Sequence, residues 1–88
     1  MDNIIVAYQP FVKTQNIFVY KDNVMVETLT VDFDKVNDMV AGLAKRYSIH
    51  DISLVGNQDY LSRFKTELNT KFEETGFNIR ITSKLDRQ

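Results

Sequence analysis

The hydrophobic periodicity of the chain changes once, near residue 32, and this change constrains the fold more than any other feature. Before it, three short runs of apolar, β-branched and aromatic residues are separated by turn residues, at 4–8, 17–20 and 24–31. After it, apolar residues recur every three or four positions in two stretches, each followed by another strand-like run. The sequence therefore predicts a single α/β domain with a five-stranded mixed sheet and the element order β-β-β-α-β-α-β.

The first three strands are predicted to form an antiparallel meander. Residues 4–8 (IIVAY) are apolar without alternation, which predicts a strand that is buried on both faces and ended by Pro10. The polar stretch 13–16 predicts a turn. Asp22 and Asn23 both tolerate the left-handed conformation that tight hairpins need, so they predict the turn between the second and third strands.

The first helix is predicted over residues 33–47, with Asp32 as its N-cap. Its apolar stripe covers an arc of roughly 140°. The stripe consists of Phe33, Val36, Met39, Val40, Leu43, Ala44 and Tyr47. A fourth strand is predicted over 52–55, ended by Gly56, and Asn57 is the predicted N-cap of the second helix.

Gly76 predicts the end of the second helix, because glycine readily adopts the left-handed conformation that ends many helices. A contact between Phe72 and Phe77 is expected at the same helix end. The alternating stretch 77–82 predicts the last strand. We therefore expect one domain over residues 1–88, with an ordered core of about 3–82 and a flexible polar tail at 83–88.

Right-handed crossovers, with the most apolar strand at the centre, predict the sheet order 3-2-1-4-5. From Ile4 to Thr82 this topology resembles the ribonuclease H-like superfamily, which includes resolvases, transposase cores and actin-like ATPases. The segment IIVAYQP resembles the first strand of that superfamily, which leads into an essential acidic residue. Tyr8 and Gln9 stand at the corresponding positions here. The resemblance is topological and implies a minimal, catalytically degenerate domain of this type.

The absence of that acid weakens the catalytic expectation, because two-metal phosphodiester chemistry needs clustered carboxylates. The fourth strand ends in Val55, Gly56 and Asn57 rather than in an acid, and the chain has only three glycines for phosphate-binding loops. We therefore expect no catalytic residues, no resident metal and no cofactor.

Composition narrows the function further. The 88 residues include 11 basic and 12 acidic side chains, a net charge of -1, so the basic excess of a dedicated nucleic-acid module is missing. The absence of cysteine excludes disulfides and thiolate chemistry. No signal-peptide pattern or membrane-spanning run is present, so we expect a cytoplasmic protein. The Asn, Lys and Ile usage is typical of small bacterial phage and mobile-element proteins.

Four groups of residues are weak candidates for ligand or nucleic-acid sites. Gly56, Asn57 and Gln58 could hold a small anion at a helix N-terminus, although an ordinary loop and N-cap explain them as well. Capping explains the acidic side chains better than metal binding does; these are Asp32, Asp34 and Asp38. His50 is interpreted as a surface or capping residue. Core packing explains the aromatic side chains of the meander better than base stacking does; these are Tyr8, Phe11, Phe18 and Tyr20.

Two surfaces are candidate protein interfaces. The third strand is a predicted sheet edge that carries one charge, and Val26, Glu27 and Thr28 lie at its centre. On the first helix, Ala41 and Gly42 are predicted to face away from the apolar arc as a small, flat patch. We favour an interaction or regulatory module that binds a protein partner or itself, with a homodimer through the third strand as one form. The alternative is a metal-dependent nuclease or nucleotide-binding enzyme with a relocated site.

Overall fold

All seven predicted elements form in the computed structural model, which describes residues 2–8, 13–56 and 58–85. The strands are β1 (Asn3–Ala7), β2 (Thr14–Lys21), β3 (Val24–Asp32), β4 (Asp51–Gly56) and β5 (Arg80–Leu85). The helices are α1 (Val36–Tyr47) and α2 (Gln58–Thr75), and a short 3-10 turn (Phe33–Lys35) leads into α1.

The five strands form one mixed sheet in the order β3-β2-β1-β4-β5, which confirms the predicted topology. The meander strands pair antiparallel, whereas β4 pairs parallel with both β1 and β5. The polypeptide therefore crosses twice between parallel strands, once through α1 and once through α2.

Both helices lie on the same face of the sheet and pack against each other. Beneath them, alternate residues of the three inner strands are fully buried. These are Ile4, Val6, Ile17, Val19, Ile52 and Leu54. Ile5 and Ala7 point to the other face and are half-buried. The prediction that β1 is buried on both faces is therefore wrong, because no described helix covers the second face.

β2 is longer than predicted, and β5 lies three residues further along the chain than the predicted 77–82. Thr14, Gln15 and Asn16 belong to β2 rather than to a turn, and Gln15 is only 1% exposed. β5 begins at Arg80 and continues to Leu85, beyond the expected end at residue 82. In both places, pairing with a neighbouring strand extends polar sequence that has little strand propensity of its own.

The predicted turns and helix ends hold in most respects. Asp22 and Asn23 have φ values of 54° and 66°, as the two-residue hairpin requires. Gly76 has a φ of 73°, and the Phe72 and Phe77 rings lie 5.8 Å apart. Asp32 precedes the 3-10 turn but makes no side-chain capping bond. The predicted N-cap of α2 lies outside the described residues.

None of the described helices is long and apolar enough to cross a membrane.

We expect Phe64→Ala to lower the free energy of unfolding by about 3–5 kcal/mol, the range for a buried phenylalanine. Phe64 is 3% exposed and contacts the rings of Tyr8 and Phe33 at centroid distances of 4.1 and 4.8 Å. Urea unfolding measures the change, and Thr66→Ala, on the exposed side of the same helix, is the control. A midpoint close to wild type would contradict this packing of α2.

Candidate functional site

The free edge of β3 carries regularly spaced backbone groups. The N–H of Phe33 donates to the carbonyl of Lys13 at 2.9 Å, which fixes this pair as a hydrogen-bonded one. Hydrogen-bonded and non-bonded pairs alternate along antiparallel strands, and the register from Thr14–Asp32 to Phe18–Thr28 is unbroken. The N–H and C=O groups of residues 28, 30 and 32 therefore point away from β2. No other described strand pairs with them.

The beginning of β3 is apolar and exposed. Val24, Met25 and Val26 are 60%, 51% and 44% exposed. Val19 pairs with Glu27 and the next β2 residue pairs with Met25, so Val26 is the extra residue of a β-bulge. A bulge interrupts the regular edge pattern and blunts it. The regular part of the edge is thus residues 28–32, with an apolar surface beside it.

Glu27 is not a free edge charge, contrary to the expectation that it lies at the contact. Its side chain is half-buried on the helix-covered face, where it accepts a hydrogen bond of 2.6 Å from the Tyr47 hydroxyl. Arg46 lies 4.0 Å from the same carboxylate. The hydrogen bond to Glu27 raises the pKa of Tyr47. Glu27 therefore ties β3 to the end of α1.

The predicted patch on α1 is half correct. Ala41 is 7% exposed and belongs to the core, so its assignment to an exposed patch is wrong. α2 packs beside α1 and buries that side of the helix. Gly42 is exposed, and a Cβ added to it would meet no atom within 4 Å.

A groove of about 540 Å³ runs along the exposed side of α1 past Gly42. Met39, which is 37% exposed, and Leu43 provide its apolar lining. Asp38 lies toward the N-terminal end of the groove and Arg46 at its C-terminal end. Because Arg46 also lies beside Glu27, the groove faces the β3 side of α1.

The carboxyl ends of β1 and β4 are filled by an aromatic side chain. Tyr8 is 5% exposed and stacks on Phe64, with an interplanar angle of 21°. Its N–H donates to the carbonyl of Val55 at 2.8 Å. Gly56 has a φ of 153°, and a Cβ there would lie 2.9 Å from the Tyr8 carbonyl oxygen. The glycine is thus explained by close backbone approach.

Two of the three residues of the suggested anion site lie in the described part of the chain. Gly56 is buried against β1, Asn57 lies outside the described residues, and Gln58 is the first residue of α2. The position of Tyr8, where the resemblance implies an acid, holds a buried phenol. Burial raises the pKa of Tyr8, with a smaller contribution from the negative charge of Glu67.

The acidic residues and His50 have structural partners. Asp38 forms an ion pair with Lys71 of α2, and Asp34 lies along the same polar cleft between the helices. No three His, Asp or Glu side chains group to hold a metal ion within the described ranges. The Nδ1 of His50 donates to the carbonyl of Asn78 at 2.5 Å, and its ring stacks on Phe77.

The aromatic residues of the meander separate onto the two faces of the sheet. Phe18 and Tyr20 lie half-buried on the face without helices, whereas Tyr8 lies in the core. Phe11 is outside the described residues. Lys21, next to Tyr20 in β2, pairs with Asp2 at 2.7 Å, and Arg80, on β5 at the far edge of the sheet, pairs with Asp51 at 3.3 Å.

Sequence reasoning missed Thr30, Asp32 and Met39 as surface candidates. The edge role of Thr30 and Asp32 depends on the hydrogen-bond phase along β3, which residue types do not reveal. The spacing of Met39 predicts a place in the apolar stripe, yet Met39 lies at the rim of the groove. Its place at one margin of the predicted arc was the available signal.

Comparison of the chain with protein-family models, with curated proteins and with solved structures finds no match in any of the three. The resemblance to the ribonuclease H-like superfamily therefore rests on strand order, and the candidate surfaces rest on their own geometry.

We expect Tyr8→Phe to raise the free energy of unfolding by about 1 kcal/mol, because the buried Tyr8 hydroxyl has no hydrogen-bond partner among the described residues. The matched control is Tyr47→Phe, which loses the bond to Glu27 and should lower the free energy of unfolding. Urea unfolding of both variants gives the comparison. A clear loss of stability in Tyr8→Phe would show that its hydroxyl is needed.

We expect Gly42→Ala to raise the free energy of unfolding of the monomer by about 0.5–1 kcal/mol. Alanine has the higher helix propensity, and its Cβ would meet no neighbouring atom. Gly56→Ala is the opposing control, since its Cβ would collide with the Tyr8 backbone. If Gly42→Ala were destabilising in dilute solution, the open surroundings of Gly42 would be wrong.

Proposed function

We propose that this chain is a small, non-catalytic interaction module that binds protein through the free edge of β3. The observation that carries the proposal is the regular edge at residues 28, 30 and 32, which directs its backbone groups away from β2. An added strand would satisfy these groups and continue the sheet. Val24, Met25 and Val26 supply apolar surface next to the same edge.

The other sheet edge is a weaker candidate. β5 pairs in parallel with β4, and Arg80 of β5 forms an ion pair with Asp51. Charged side chains along an edge discourage strand addition. On β3, the regular part of the edge carries only the charge of Asp32, so it accepts a partner strand more readily.

The position of Tyr8 supports an interaction role over the enzymatic alternative. A buried tyrosine stacked on Phe64 stands where a first-strand acid would be needed. We propose that the domain is a degenerate ribonuclease H-like module, and that it acts in the cytoplasm. Nucleic acid is a less suitable partner, because the chain has no basic excess and because Lys21 and Arg80 are already paired with acids.

We expect Thr28→Pro to reduce partner capture at least tenfold, because proline removes the N–H that points to the free edge and keeps the bonds of β3 to β2. Thr28→Val is the matched control, since it keeps that N–H in a β-branched residue. Tagged wild type and both variants are compared by affinity capture from a bacterial lysate, with circular dichroism to verify folding.

A protein, or a second copy of the chain, that is retained by wild type and Thr28→Val but lost from Thr28→Pro is the expected result. Equal capture by all three folded proteins would show that β3 is not the binding edge. The groove beside Met39 and Gly42 would then be the better surface.

A further inference from the structure

The regular part of the β3 edge is complementary to itself. Thr30 lies midway between Thr28 and Asp32, and all three direct backbone groups outward. If two copies pair antiparallel about Thr30, Thr30 faces its own equivalent and Thr28 faces Asp32 of the second copy. Each facing pair then exchanges two backbone hydrogen bonds.

We propose that the occupant of the β3 edge is a second copy of this chain, paired antiparallel about a twofold axis at Thr30. The two sheets then form one continuous ten-stranded sheet. This inference rests on the proposed function and names the partner of the same edge.

The side chains of the two copies match on both faces. On the helix-covered face, Leu29 faces Val31 of the second copy, and both are half-buried apolar residues that gain further cover. On the open face, the Thr28 hydroxyl lies opposite the Asp32 carboxylate, to which it can donate. No two like charges stand directly opposite each other in this register.

The axis at Thr30 also brings the exposed glycine of α1 to the interface. Tyr47 bonds to Glu27, and α1 runs opposite to β3 because it returns the chain between parallel strands. Five helical residues from Tyr47 back to Gly42 span about 7.5 Å, a little over two strand residues. Gly42 therefore lies at the level of Leu29 and Thr30.

The two α1 helices then run antiparallel on the same face of the joined sheet. Asp38 and Arg46 of the second copy lie at matching levels, but each is already paired within its own copy, Asp38 with Lys71 and Arg46 with Glu27, so charge adds little to this contact. α1 packs on β2, so the helix axes are separated by three strand spacings, roughly 14 Å. Met39 from each copy is positioned to fill the space between them.

Single cysteines test this register, since the chain has no cysteine of its own. In the proposed pair the two residue-30 Cα atoms lie about 5.5 Å apart, which a disulfide can bridge. The two residue-28 Cα atoms lie roughly 13 Å apart, which it cannot. We expect Thr30→Cys to form a covalent dimer on mild oxidation at least tenfold faster than Thr28→Cys.

The two variants are well matched. Each replaces an exposed threonine of the same strand, and each loses one side-chain hydrogen bond, to Asn16 from Thr30 and to Met25 from Thr28. Equal or faster crosslinking of Thr28→Cys would overturn the register. Sedimentation of the unmodified chain should show a monomer–dimer equilibrium, which Thr30→Pro abolishes and Thr30→Val preserves.

A separate variant tests the contact between the two α1 helices of the proposed dimer. Gly42→Gln places a long side chain near the axis and should weaken the dimer at least tenfold without lowering the melting temperature of dilute protein. An unchanged dimerisation constant would overturn the placement of α1.

Failure of this inference can be distinguished from failure of the proposed function. A chain that stays monomeric up to millimolar concentration and does not crosslink at residue 30 overturns the second copy as the occupant. If Thr28→Pro still abolishes capture of another protein, the edge function stands with a different partner. If Thr28→Pro has no effect either, both are wrong.

Discussion

The match between helix width and strand spacing determines how this small domain is built. Helices pack side by side at about 8–10 Å, and two strand spacings are about 9.6 Å. α1 rests on β2 and α2 rests on β4, so β1 lies beneath the seam between them. This explains why Ile4 and Val6 of β1 have no exposed surface.

The same geometry leaves the two outer strands with less cover. β3 lies one strand spacing outside α1, and its helix-facing side chains Leu29 and Val31 are only half-buried. A third helix would be needed to cover them, and the two crossovers supply only two. The contact of Glu27 with Tyr47 partly compensates, because it ties β3 directly to the end of α1. The exposed edge is thus a consequence of covering five strands with two helices.

The order of the elements could be predicted from the sequence because periodicity reports how each element meets the sheet. Contacts between the helices are less visible in the hydrophobic pattern of the sequence. Ala41 lies outside the stripe that faces the sheet, yet α2 buries it from the side. The polar residues Gln15 and Asn16 carry no strand signal, and pairing with β1 and β3 brings them into β2. Contacts with neighbouring elements therefore determine the burial of Ala41 and the length of β2, which the pattern within one segment does not reveal.

The candidate site was predictable in location and not in detail. That β3 is an edge follows from the sheet order, which the sequence predicts. Which amides face outward depends on the bulge at Val26 and on the bond from Phe33 to Lys13, and neither has a sequence signature here. Glu27 shows the consequence: it is two residues from Leu29 and lies on the same covered face, so its charge turns toward α1 and away from the edge.

The filled ends of β1 and β4 are the reason why we propose the edge, rather than the usual crevice, as the binding surface. In open α/β sheets, ligands bind beyond the carboxyl ends of the strands, where the chain diverges and leaves space. Here Gly56 brings β4 so close to Tyr8 that a Cβ would not fit, and Phe64 closes over the tyrosine ring. Packing at that end adds to the core of a chain that has few residues with which to build one. The backbone groups of β3 are not satisfied in the same way from within, because α1 rests on β2 and α2 rests on β4 and β5. None of the described strands completes that edge, and for this reason we propose it as the place where a partner binds.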